Sequence, residues 1–134
     1  MSFETELQRA VFDRLTGFSG LPDVYDHVPQ AADSGSDVPF PYLTIGDDTH
    51  TPFDTDDSVG DEATITIHAW SRKRGRAEVK ELQAGIRAAL QRFELEVDGF
   101  ALVTIEFESS ESFMDPDAMT RHGVSRFRVL LDQS

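Results

Sequence analysis

The chain has 134 residues, of which 39% are hydrophobic and 28% charged, with a formal net charge of −13 and no cysteine. Its length suits one domain over residues 1–134, and the lack of cysteine excludes disulfides, thiolate metal sites and a thiol nucleophile. Such acidity disfavours a phosphate-gripping surface, and no apolar run approaches the ~20 residues of a membrane-spanning helix.

The acids are concentrated early: residues 1–61 hold 13 acids against 2 bases, while residues 62–134 hold 12 against 10. The acidic, amphipathic start MSFETELQRA does not read as a secretory signal. Ser2 is placed to cap a first helix, with Glu4 and Glu6 in the turn where negative charge suits the dipole. Phe3, Leu7, Ala10, Val11 and Leu15 recur at helical spacing until Gly17. Val24 to Val28 then reads as a short strand ended by Pro29, and residues 30–39 are loop-like in composition. Tyr42 to Gly46 predicts a second strand, followed by an acidic loop or hairpin tip over residues 47–61.

Glu62 to Trp70 alternates cleanly, with Ala63, Ile65, Ile67 and Ala69 facing one way and Thr64, Thr66, His68 and Trp70 the other. A helix is predicted from Arg76 to Phe93, its stripe formed by Val79, Leu82, Ile86, Ala89, Leu90 and Phe93. That stripe should lie across the sheet face carrying Ile65 and Ile67. Phe100 to Ser110 predicts a fourth strand with Ala101, Val103, Ile105 and Phe107 on one face, and His122 to Asp132 a fifth with Phe127, Val129 and Leu131 inward. Their outer faces carry Glu106 and Glu108 against Arg126 and Arg128, which would meet across an antiparallel ladder. The expected fold is α+β: a mostly antiparallel sheet of about five strands with two helices on one face, in the order α-β-β-β-α-β-β.

Candidate chemistry is sparse. Asp47, Asp48, His50, Asp54, Asp56, Asp57 and Asp61 form the densest acidic cluster, and hard cations favour several carboxylates on one loop. Counted from Asp54 as a calcium loop, however, Val59 stands at the glycine and Ile65 at the glutamate. Asp23 and Glu78-x-Lys80 loosely match a nuclease pattern, but Glu78 and Lys80 fall on the outer side of a helix instead of a strand. His27, His50, His68 and His122 are scattered one per element, without the spacing of a helical metal site. There is no Gly-x-Ser-x-Gly elbow and no phosphate-cradling glycine loop. No cofactor, no metal and no catalytic residue is expected.

Arg72, Lys73, Arg74 and Arg76 form the one basic cluster, at a helix start where cations oppose the dipole. A solvated turn and a contact with acids of a neighbouring subunit explain it equally well. DNA binding lacks the interleaved aromatics and recognition helix it would need.

Over most of its length the chain resembles the tail completion (tail terminator) proteins of long-tailed phages and gene transfer particles. The resemblance rests on VYDHVP, FPYLTIGDD, the strand EATITIHAWSR with its Gly-Arg, the helix EVKELQAGIRAAL and the late segment DPDAMTRHGVSRFRV, in that order. It implies a non-enzymatic α+β subunit of a virion, assembled in the bacterial host cytoplasm. It further implies a homo-hexameric ring that caps the tail tube, with the major tail tube protein on one side and a head-neck connector or stopper on the other. DNA would pass through the lumen without specific binding. Rotational assembly joins two different surfaces of each subunit. The interface candidates are Arg72, Lys73, Arg74 and Arg76 against Asp54, Asp56, Asp57 and Asp61, together with Glu106, Glu108, Arg126 and Arg128. Two alternatives come from other classes: a small metal-dependent enzyme using the aspartate loop, and a monomeric binding module.

Overall fold

A computed structural model describes residues 2–26 and 40–133. Helix α1 spans Phe3–Thr16. Ser2 Oγ accepts the Thr5 N–H at 3.1 Å to start it, and the Gly17 N–H returns to the Asp13 carbonyl at 3.0 Å to close it. The strands are β1 (Val24–Tyr25), β2 (Tyr42–Ile45), β3 (Thr49–Pro52), β4 (Gly60–Ser71), β5 (Phe100–Met114) and β6 (Arg121–Gln133); helix α2 (Ala77–Leu90) joins β4 to β5. Of the predicted first strand only Val24 and Tyr25 are seen; its remainder beyond Asp26, His27 and the loop over 30–39 lie outside the described residues.

The α+β class holds, and two features of the sheet correct the expectation. The sheet is mixed, ordered β1-β2-β4-β6-β5, with β1 running parallel to β2 and the other pairs antiparallel. The sixteen residues between Tyr25 and Tyr42 are long enough for the crossover that parallel neighbours need. Among the described residues the sheet also has six strands, because β3 forms inside the segment expected to be a loop or hairpin tip. It pairs with Asp61 to Thr64 on the edge of β4 whose other half takes β2. Three of its four residues are exposed, so it carries no hydrophobic alternation. Among the described residues the element order is therefore α-β-β-β-β-α-β-β.

The core lies on one face of the sheet. Leu7, Val11 and Leu15 of α1 and Val79, Ile86 and Leu90 of α2 pack with Leu43, Ile65, Ile67, Ile105, Phe127, Val129 and Leu131 in one cluster. Each large side chain so buried favours folding by roughly 1.5–3 kcal/mol before its entropy loss is counted. From Asp61 onward strand β4 alternates without a break, so residues 61, 63, 65, 67, 69 and 71 face the helices and residues 62, 64, 66, 68 and 70 face away.

Two predicted core positions are corrected. Phe93 is 37% exposed, because α2 ends at Leu90, Gln91 turns extended and Arg92 takes a left-handed φ of 56°. Leu95 and Val97 enter the core in its place. Ala101 is exposed, because the β5–β6 ladder shifts register between Leu102 and Thr104. A one-residue bulge reverses the facing of everything before it, so Leu102 joins Ile105 and Phe107 against the core. Val103, the inserted residue, lies outside the described side chains.

Candidate assembly surfaces

Strand β4 is twelve residues long, roughly 35 Å at the rise of a strand, and opposite charge sits at its two ends. At the C-terminal end Arg72, Lys73, Arg74 and Arg76 are all exposed. Arg72 is held: its Nε donates to Thr120 Oγ1 at 3.1 Å, its guanidinium lies 3.9 Å from Asp117, and it stacks 4.4 Å from the centre of the Phe40 ring. Lys73, Arg74 and Arg76 pair with no acid among the described residues. Arg76 stands at the N-cap of α2 without a capping hydrogen bond, so these cations add to the positive end of the helix dipole.

Those contacts tie the basic turn to the tip of the β5–β6 hairpin. Asp117 shapes that tip by accepting the Met119 and Thr120 N–H groups and the Thr120 hydroxyl. These bonds stabilise the carboxylate and hold its pKa down at about 2. Phe113, Met114 and Met119 stand exposed beside it, Met119 at 59%.

At the other end the β3–β4 hairpin carries Asp54, Asp56 and Asp57 on its exposed tip. Asp54 Oδ1 accepts the Gly60 N–H at 3.1 Å and Asp57 accepts the Thr55 hydroxyl at 3.2 Å. Phe53 and Val59 flank the tip at 42% and 49% exposure. Asp61 does not belong to this tip. It faces the core side, is 6% exposed, and bonds His50 Nδ1 at 2.5 Å, while His50 Nε2 lies 2.6 Å from Asp48. Burial alone would lower the His50 pKa, but its bonds to Asp61 and then Asp48 outweigh that and raise it above the ordinary imidazole value.

The remaining interface candidates lie on the sheet, and three of them are engaged within the subunit. Arg128 bonds Glu62, Arg126 lies 3.3 Å from Glu111, and Glu106 lies 3.4 Å from Arg92. Glu106 stands opposite Arg128 in the register, yet each turns to a different partner. Glu108 sits at the second register shift and is exposed.

The face of the sheet turned away from the helices carries a line of rings. Phe40, Tyr42, Trp70 and His122 follow one another, with Trp70 stacked on His122 at 3.8 Å. Trp70 Nε1 donates to Thr44 at 3.0 Å. His68 Nδ1 lies 2.7 Å from His122 Nε2, and His122 Nδ1 lies 3.5 Å from Asp115. Burial lowers the pKa of both imidazoles.

Among the described residues no three His, Asp or Glu side chains converge as a metal-holding group. Glu78 accepts the Ser71 hydroxyl at 2.6 Å, while Lys80 is exposed on the same helix. The sequence reading missed the exposed apolar residues at both ends of β4 and the His68–His122 contact. Phe53 and Val59 are isolated apolar residues in a polar run, a signal that was legible; the histidine pair becomes visible only through the register.

Fold and surface together define a small α+β protein whose distinctive groups are charged, apolar-flanked ends. The family model for tail completion protein gp17 matches residues 9–132. The chain is 30% identical to tail completion protein gp17 of Bacillus phage SPP1 over 128 residues, 96% of this chain and 93% of that one. In solved structures it superposes on a chain from the virion of a native gene transfer agent particle with a TM-score of 0.84. That match covers 98% and 99% of the two chains at 22% identity, so it speaks to the fold. The structure of bacteriophage SPP1 gp17 matches with a TM-score of 0.60 at 29% identity, over 93% of this chain and 88% of that one.

This chain therefore belongs to the tail completion protein gp17 family. Proteins of that family are structural components of the virion tail and not enzymes, and a tail component assembles with other virion proteins.

Proposed function

We propose that the chain is a single-domain subunit of a homo-hexameric ring that caps the tail tube of a phage or gene transfer particle. One side of the ring meets the major tail tube protein and the other the head-neck connector or stopper protein. The family match over nearly the whole chain carries this reading. The charge supports it: at −13 overall, a lumen built from such subunits repels phosphate and lets DNA slide. A closed ring needs two unlike surfaces per subunit, and Arg72, Lys73, Arg74 and Arg76 on one side and Asp54, Asp56, Asp57 and Glu108 on the other are exposed for such use. Asp61, Glu106, Arg126 and Arg128 serve the subunit's own fold in this reading.

Electron microscopy of purified tail tubes incubated with the protein tests the ring directly. Six copies closing the head-proximal end are expected. Tubes that stay open, or a cap of a different copy number, would overturn it.

A further inference from the structure

We infer that neighbouring copies join end to end along β4, the β3–β4 tip of one copy seating on the basic, apolar patch at the far end of the next. The inference rests on the ring reading and names its contact. Each end pairs charge with exposed apolar surface. The tip offers Asp56 and Asp57 between Phe53 and Val59; the opposite end offers Lys73, Arg74 and Arg76 beside Met114 and Met119. Met114 opposes Arg121, which also opposes Ser71 across β6, so the apolar side chains and the basic turn share one end of the sheet.

The two ends cannot meet within one chain, because they lie at opposite ends of one continuous twelve-residue strand, roughly 35 Å of extended backbone. A second copy is the occupant that matches both ends at once. Among the described residues neither cluster has an opposite charge to pair with: Lys73, Arg74 and Arg76 find no acid, and Asp56 and Asp57 find no base. Cations before a helix N-terminus oppose the dipole, and an acidic tip from outside compensates that local conflict. The apolar flanks give the contact a desolvated centre, where charge pairing also fixes orientation. Joining one end to the other end is heterologous, so it does not stop at a dimer, and repetition forms a ring where the rotation per subunit returns the last copy to the first.

A charge-swap experiment tests the contact. One variant carries Asp56→Lys and Asp57→Lys; the other carries Lys73→Glu, Arg74→Glu and Arg76→Glu. All five residues are exposed, and fluorescence of Trp70, the sole tryptophan, reports an intact fold. Each variant alone is expected to lose ring formation on tail tubes. An equal mixture is expected to regain rings containing three copies of each, counted by native mass spectrometry. Variants that assemble alone as the unaltered protein does, or a mixture that fails to recover, overturn the inference while leaving the ring standing. Variants that still form rings but no longer attach to tubes assign these ends to the tube and overturn it too. An unaltered protein that forms no ring even on tubes removes the ring reading, and this contact with it.

Discussion

His68 and His122 are bound to each other, Nδ1 to Nε2 at 2.7 Å, and the Trp70 indole lies flat on His122 at 3.8 Å. Such a bond needs one bare nitrogen, so the pair cannot take up two protons and keep it. Asp115 and Glu111 on the β5 side favour a proton on His122, while Arg126 opposes and Asp47 favours one on His68. Burial prevails at both, so folding lowers their proton affinity below the free value of about 6.5. Their contribution to stability is complete above about pH 6.5 and declines as pH falls below it, because the unfolded chain then binds more protons. Trp70 fluorescence should drop as pH is lowered below about 6.5, since the proton taken up by the pair places an imidazolium against the stacked indole. The double variant His68→Gln, His122→Gln should lack that transition; an unchanged profile in the variant counts against the pair.

His50 runs the opposite way. Its folded pKa is raised, so the stabilisation it brings is full below about pH 6.5 and disappears as pH climbs through the raised value. His50→Ala leaves the 6% exposed Asp61 without its partner, a loss of about 1–3 kcal/mol for a buried polar group. Urea unfolding at mildly acidic pH should show that loss, and the gap between variant and parent should narrow in alkaline buffer. A gap independent of pH would refute the charge-assisted account.

Phe127 is fully buried, edge-on to Phe107 at 5.6 Å. Phe127→Ala should cost about 3–5 kcal/mol through lost transfer energy and the cavity left behind. Met119→Ala, at 59% exposure, should change stability by less than about 0.5 kcal/mol. Chemical denaturation of the two variants compares them; equal effects would contradict the assigned core.

Much of this was legible in the residues, and the failures share a cause. Helix α1, the alternation of β4 and the stripe from Val79 to Leu90 follow from period alone, and the core face of Phe127, Val129 and Leu131 with them. Strand β3 was hidden because three of its four residues face solvent, leaving backbone pairing as its sole signal. Ala101 was misplaced because a bulge inserts one residue without any change in composition. The exposed candidates could be read off as charges, but Asp61 could not be told from Asp57 until β3 brought His50 against it. The resemblance supplied what periodicity lacks, a reason to connect charge with assembly.

Strand β5 is the long outer strand of the sheet, yet its margin is partly occupied. The Arg92 N–H donates to the Ile105 carbonyl at 2.9 Å, Gln91 Oε1 accepts the Phe107 N–H, and Gln83 donates to the Glu111 carbonyl at 2.7 Å. Unguarded margins recruit foreign strands and seed fibrils. By fastening Gln83 of α2 and the turn after that helix along the border, the subunit occupies part of the margin at which such sideways growth would start.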